Sequence, residues 1–334
     1  KLGWKVTVFA NPDVNEGDFN GVTYKQWYDF NQKDKFNIVI GWRNIGLFDL
    51  DLDAKYKAVW MHDVPLNPEF TQERIGKIDK IFVNSEYHKS LLRLALINGT
   101  FMPMPDDKVF VTSNGITSWD PKKEIVRNPY RCIYSSSYDR GIIYLLQMWP
   151  EIKKEAPQAE LHIFYGWDLY TIMHANNPAR MQWKGRVENL MKQDGIYEHG
   201  RVGHERLNEE FMKSGIWAYP TDFQEISCIS AMKAQAYGAI PVCTDFAALK
   251  ETVKNGIRVD ADVTTKEGQD AYMKALIDLL KDHKKQEELR GPMMTLAKDY
   301  FSWKKVAQKW TQLFKENLLP KGGGVLDRPK IAAG

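Results

Sequence analysis

Two polar loops, "YSSSYDRG" at residues 134–141 and "YPTDFQEISC" at 219–228, hold the residues best suited to chemistry. Each lies between a strand-like apolar run and a helix-like run. In the first, Ser135, Ser136 and Ser137 lead through Arg140 to Gly141. Hydroxyls, backbone N–H groups and one guanidinium converging at a strand end would make a diphosphate receptor. An ordinary serine-rich turn with a surface arginine reads the same way. In the second loop Glu225 precedes the small-residue helix "ISCISAMKAQAYG". Ser227 is placed to cap that helix, and Gly238 to end it in a left-handed conformation. A helix start presents unpaired N–H groups and a partial positive charge, which suit phosphate. Glu225 would equally complement the helix dipole, worth about 0.3–1 kcal/mol.

Other clusters carry weaker signals. "VWMHDV" puts His62 and Asp63 at the carboxyl end of a strand, where they could polarise a hydroxyl or hold a sugar; a structural histidine is the commoner case. "DLDLD" at 49–53 has the spacing of a divalent-cation site beneath a diphosphate, but a solvated connection fits it better. "HGRVGHERL" brings Arg201 and His204 near another strand end, or simply caps a helix. Trp42, Trp60 and Tyr87 could stack on sugar rings or pack a core. No GxSxG, HExxH, GxxxxGKS or GxGxxG is present, which removes the common hydrolase, metalloprotease, P-loop and dinucleotide motifs.

These loops need a frame, and strand-like and helix-like runs alternate in both halves to supply one. Strands are expected at "WKVTVFA", "FNIVIGW", "YKAVWMH", "KIFVNS" and "KVFVTS", with a helix over "SEYHKSLLRLALING" capped by Ser85 and ended at Gly99. After the linker-like "ITSWDPKKEIVRNP" the pattern restarts: strands at "RCIYSS", "AELHIFYGW", "IYEHGRV" and "IWAYPT", helices at "GIIYLLQMWPEIKKEAP" and "HERLNEEFMKSG". Beyond "GIRVD" the chain reads as helical to about residue 318. Repeated alternation implies α/β architecture with parallel sheets covered on both faces. The halves divide as 1–118, a linker at 119–129, 130–300, a last helix at 301–318 and a flexible tail at 319–334. The early opening strand means either that the first domain lacks its first strand and helix or that the numbering begins late.

A chain of 334 residues suggests about two domains. A net charge of +3, from 46 basic and 43 acidic residues, is too balanced to point to nucleic acid. The cysteines, Cys132, Cys228 and Cys243, lie in or beside apolar runs without CxxC spacing, so a reduced, cytoplasmic setting is expected. No transmembrane span or signal peptide is legible, and peripheral membrane contact stays open.

In order and spacing, "YSSSYDRGIIYLLQMWPEIKKEAPQAELHIFYGW" followed by "GRVGHERLNEEFMKSGIWAYPTDFQEISCISAMKAQAYGAIPVCTDFAALKETV" resembles the retaining GT-B glycosyltransferases of the glycosyltransferase 4 group. The resemblance covers nearly all of residues 130–255. It is looser in "HDV", "KIFVNSEYHKSLL" and "SNGI", and "FSWKKVAQKWTQLF" looks like the helix that crosses back onto the first domain. The resemblance implies two Rossmann-like parallel-sheet domains, acceptor side then donor side, facing across a cleft. It implies metal-independent transfer of a sugar, with retention, from a UDP-, GDP- or other nucleotide-diphosphate sugar to a glycan, glycolipid or protein. No permanently bound cofactor is implied.

By the same resemblance Arg140, before Gly141, contacts the diphosphate. Glu225 is the first acid of a Glu-x7-Glu motif that touches the donor sugar, and His62 lies near the transferred sugar. Ser136, Ser137, Gly166, Arg201 and the amides of Ile226, Ser227 and Cys228 complete the donor site. Two positions depart from the family: Lys233 replaces the second acid, and Ser135 stands where a second basic residue is usual. A non-catalytic sugar-nucleotide or glycan-binding module and a sugar-nucleotide epimerase of the same fold are the rival readings.

Overall fold

A computed structural model of the chain describes residues 2–12, 15–64, 70–92, 95–97, 100–102, 104–121 and 124–318. The expected tail at 319–334 and Gly99 lie outside the described residues. The chain opens with a small sheet in the order β1-β3-β2, made of β1 (Val6–Ala10), β2 (Gly17–Phe19) and β3 (Val22–Gln26). Asn20 and Gly21, which join β2 to β3, have φ of 53° and 80°, as a tight two-residue hairpin turn requires.

A parallel sheet follows. It comprises β4 (Phe36–Trp42), β5 (Ala54–Trp60), β6 (Lys80–Val83) and, after a separate hairpin of β7 (Ala95–Ile97) and β8 (Thr100–Met102), β9 (Val109–Val111). Its order is β4-β5-β6-β9. Strand alternation sends Val59 to one face, with Ile45, Phe48, Leu52 and Ile75, and sends Tyr56 and Ala58 to the other. Helices α1 (Gln72–Lys77) and α2 (Glu86–Leu92) connect the strands. Ser85 does cap α2, its Oγ accepting from the His88 N–H at 2.9 Å. The helix is shorter than its apolar spacing suggests. It ends at Leu92, and Ala95–Ile97 pairs antiparallel with Thr100–Met102 instead. The sequence between them is Asn98–Gly99, the pair that favours a hairpin over a continued helix.

The second sheet has β10 (Asn128–Tyr134), β11 (Glu160–Ile163), β12 (Ile196–Glu198), β13 (Ser214–Tyr219), β14 (Ile240–Thr244) and β15 (Ile257–Val259). All neighbours are parallel, in the order β12-β11-β10-β13-β14-β15. Between them run α3 (Ile142–Glu155), α4 (Asp168–His174), α5 (Pro178–Leu190), α6 (His204–Lys213), α7 (Ile229–Tyr237) and α8 (Leu249–Thr252). Helices α9 (Lys266–Lys281) and α10 (His283–Tyr300) follow. The winding runs from β10 out to β12 and then returns to β13 and out to β15. The gap between β10 and β13 is therefore the switch point, where α/β sheets take ligands beyond the carboxyl ends of the strands.

Helix α11 (Trp303–Leu318) leaves α10 and lies on the first sheet. Phe314 packs with Tyr56, Ala58 and Phe82, while Trp310 donates from Nε1 to Thr112 Oγ1 at 2.6 Å. The two sheets also meet at their carboxyl ends. Ser85 Oγ donates to the Ile226 carbonyl at 2.7 Å, and the Glu251 carboxylate accepts from the N–H groups of Glu86 and Tyr87 at 2.8 and 2.7 Å. Among the described residues no helix is long and apolar enough to cross a membrane.

Because Phe314 is buried in this shared cluster, Phe314→Ala should cost about 3 kcal/mol of stability. Urea unfolding followed by tryptophan fluorescence should show it as a lowered midpoint. An unchanged midpoint would mean that α11 is not docked.

Candidate functional site

The two loops that flank the switch point are the two singled out by their chemistry. One follows β10 and one follows β13, and they touch directly. A side chain at Gly141, whose φ is +102°, would meet the Pro220 carbonyl and come within 2.9 Å of the Thr221 Cα. Only glycine lets the loops approach so closely while starting α3 in a left-handed conformation.

Across this contact Arg140 Nη1 lies 3.2 Å from Glu225 Oε1. Tyr219 Oη donates to the same oxygen at 2.7 Å and lies 3.3 Å from Ser136 Oγ. The Phe223 ring lies 4.1 Å beneath the Arg140 guanidinium, a cation–π contact that keeps the group flat in the cleft. Glu225 is buried, whereas the Arg140 side chain is 36% exposed. The carboxylate is thus fixed, and the guanidinium keeps an open side that can take a second anion.

Helix α7 starts at the rim of this pair, but not with the expected cap. Cys228 is the N-cap and its side chain caps nothing; Ser227 lies one residue outside, with its buried Oγ unbonded among the described residues. The Ser135 Oγ is likewise buried without a partner. The Cys228 thiol is held far above its ordinary pKa by burial, helped by Glu225. Desolvation outweighs the helix terminus, so the thiol is not an activated nucleophile. Ser137 contributes its carbonyl to the Arg140 N–H and to Tyr134 Oη. Gly238 ends α7 with φ +86°.

From the first sheet, His62 follows β5 and is held by a directional chain. Trp60 Nε1, which can only donate, bonds Asn84 Oδ1 at 2.8 Å, and this fixes the amide orientation. Asn84 Nδ2 then donates to the Met61 carbonyl at 2.8 Å and lies 3.4 Å from His62 Nδ1. Nδ1 is therefore an acceptor, and the neutral ring carries its proton on Nε2. That Nε2 is buried without a partner among the described residues. Burial, then Arg43, lower the His62 pKa to about 4, which keeps the ring neutral. Asn84 adjoins Ser85, whose hydroxyl reaches Ile226, so His62 stands beside the contact with the second domain.

The remaining candidates form two outlying groups. A side chain at Gly166 would come 3.1 Å from the Arg201 N. Tyr138 stitches these loops by accepting from the Gly166 N–H at 3.0 Å and donating to Glu198 at 2.6 Å. Lys233 points from α7 to α6, where Nζ is 3.4 Å from His204 Nδ1; burial lowers its pKa. None of the described contacts joins Lys233 to the Arg140–Glu225 pair. Asp49 of the "DLDLD" run is held by Arg74. A cavity of about 410 Å³ bounded by Asn128, Arg131 and Glu160 opens at the amino ends of β10 and β11, the end that such sheets do not use for ligands.

The family model described as glycosyl transferases group 1 matches residues 116–291, more than half of the chain. The chain belongs to that family. Solved structures agree on the fold. An S. aureus TarM variant in complex with fondaparinux, α-GlcNAc-glycerol and UDP superposes with a TM-score of 0.62 at 14% identity, covering 83% of this chain and 55% of TarM. The pneumococcal O-GlcNAc transferase GtfA, with UDP and GlcNAc, gives 0.59 at 16% identity over 84% of this chain and 57% of its own. Anabaena HepE, with UDP and glucose, gives 0.56 at 12% identity over 78% and 72%. This group 1 glycosyl transferase chain thus has the GT-B fold of parallel-sheet, Rossmann-like domains, and spans little more than half the length of TarM and GtfA. No curated protein sequence matches it closely enough to count as a relative.

Several residues that shape the site were not singled out from sequence. Tyr219 and Phe223 hold the ion pair from below, and Asn84 and His88 set the His62 ring. His88 is fully buried, accepting from the Asn84 N–H and donating from Nε2 to the Asp63 carbonyl at 3.0 Å. The polar "VNSEYH" run at a strand end offered a signal for Asn84 and His88; a buried strand tyrosine looks like any core aromatic.

Gly141→Ala should abolish the close contact of the two loops, lowering the melting temperature and removing nucleotide-induced stabilisation together. Retained nucleotide binding in this variant would contradict the geometry. Burial lowers His62 and His88 to about 4, against an unfolded value near 6.5. The unfolded chain then binds more protons between those values, so stability is full above about pH 6.5 and falls towards pH 4. Urea midpoints across that range should decline, and less steeply in His88→Gln.

Proposed function

We propose that this chain transfers a sugar from a nucleotide-diphosphate sugar to an acceptor, with retention of anomeric configuration and without a metal. The observation that carries the proposal is the Arg140–Glu225 pair. It sits at the switch point beside a helix start without a side-chain cap and two buried serine hydroxyls that are unbonded among the described residues. Membership of the glycosyl transferases group 1 family supports it. GtfA is described with UDP and GlcNAc, and HepE with UDP and glucose, which favours a UDP-sugar donor.

In this reading the bond between the anomeric carbon and the diphosphate breaks, and negative charge grows on the departing phosphate oxygen. Arg140, the amides at Ile226, Ser227 and Cys228, and the hydroxyls of Ser135 and Ser227 stabilise that charge from fixed positions. The acceptor oxygen forms its bond on the face the phosphate leaves, and its proton passes to the leaving phosphate. No protein nucleophile is required, which suits a site whose thiol is kept protonated. Glu225 accepts from donor sugar hydroxyls through Oε2, because Oε1 is already engaged by Arg140 and Tyr219. His62, neutral with its proton on Nε2, donates to a sugar hydroxyl rather than acting as a base. Gly166 and Arg201 line the nucleoside end. Lys233, paired with His204, offers the ribose a donor in place of a carboxylate.

Incubation with UDP-, GDP-, ADP- and dTDP-sugars and mixed acceptors should release free nucleoside diphosphate from one donor class. Arg140→Ala should lower kcat/KM about a hundredfold, or about 2.7 kcal/mol of transition-state stabilisation. Glu225→Ala should cost about as much. Unchanged turnover in both variants would defeat the assignment, and an inverted product by NMR would defeat retention.

A further inference from the structure

The carboxyl end of β4 presents an exposed aromatic ring that the donor chemistry does not use. Trp42 is 61% exposed at the end of β4, the edge strand of the first parallel sheet. Its ring stands edge-on to His62, with centroids 5.8 Å apart, and the Arg43 guanidinium lies 5.2 Å over it. Arg43 in turn pairs with Asp63 at 3.5 Å.

Backbone contacts define the turn that carries this group. Arg43 has φ 59°, a left-handed conformation that a long side chain seldom adopts, and its N–H bonds the Trp60 carbonyl at 3.0 Å. A side chain at Gly41 would lie 2.6 Å from the Asn44 carbonyl, and Asn44 Oδ1 caps the next turn by accepting from the Leu47 N–H. Strain of this kind persists where surrounding contacts hold it and a function profits.

The tryptophan paired with Trp42 on the next strand is committed elsewhere. Trp60 is bonded to Asn84 and packed edge-to-face on Trp310 at 4.8 Å. Trp27 and Tyr28 are exposed, but the Phe30–Phe36 stack puts their turn at the amino end of β4, the far end from His62.

We propose that Trp42 is the platform on which a neutral pyranose ring of the acceptor stacks. The Arg43–Asp63 pair would bond the hydroxyls at the ring's edge, and His62, edge-on to the indole, sets the stacked ring beside the transferred sugar. An indole face covers the C–H face of a sugar, and the surrounding donors and acceptors read its equatorial rim. The Arg43–Asp63 pair is neutral overall, which fits an uncharged hexose ring better than a uronic acid or a phosphate. The acceptor is then a carbohydrate rather than a protein side chain or a lipid phosphate. This rests on the transferase reading for the location of the cleft.

The test is saturation-transfer NMR with methyl α- and β-glycosides of glucose, galactose, mannose and N-acetylglucosamine. It is paired with the melting-temperature rise caused by UDP. Wild-type protein should transfer saturation to the ring C–H protons of at least one glycoside. In Trp42→Ala that signal should fall about tenfold and in Trp42→Phe much less, with the UDP-induced rise unchanged in both. Glycoside signals equal in wild type and Trp42→Ala, or absent from the wild type while UDP binds, would overturn the platform. Failure of any nucleotide to stabilise the wild type would instead overturn the transferase reading.

Discussion

The contact between Arg140 and Glu225 joins two loops that leave neighbouring strands where the winding of the second sheet reverses. A buried carboxylate beside a half-open guanidinium is costly unless other groups share the desolvation, and Tyr219 and Phe223 do so. The arrangement holds Glu225 still and leaves Arg140 one free side. Gly141 is required by the same contact, because no side chain fits against Pro220 and Thr221.

The first domain meets this pair through a chain of hydrogen bonds of fixed direction. Trp60 orients Asn84, Asn84 orients His62, and the neighbouring Ser85 reaches across to Ile226. Trp60 also packs against Trp310 of α11, so the helix that returns from the second domain braces the strand end that carries His62. Glu251 adds a link from the other side by accepting from two N–H groups at the start of α2. Site geometry and domain apposition are therefore set by overlapping groups of residues.

Much of the fold was legible because parallel strands buried on both faces read as short apolar runs. "FNIVIGW" became β4 with the same limits, and the loops after β10 and β13 stood out because polar residues interrupt apolar sequence. Other parts were hidden for physical reasons. Helix α5 buries only Val187, so its apolar pattern is too thin to see. The β2–β3 hairpin carried its signal in Asn20–Gly21, and so did the hairpin that shortened the helix after Ser85 in Asn98–Gly99; the apolar spacing of Leu91, Leu92, Ala95 and Leu96 overrode the latter. Ser227 had the right chemistry for a cap but stands one residue too early, and the register of α7 gave that place to Cys228. Tyr219 could not be read at all, because the pattern of a strand does not say which buried aromatic has a hydroxyl partner.

A crystal structure with UDP bound tests the central claim most directly. The account predicts the diphosphate in the crevice between β10 and β13, with the open side of the Arg140 guanidinium on its oxygens and the first amides of α7 donating to it. A diphosphate seated elsewhere, out of reach of Arg140 and of the first amides of α7, would contradict it.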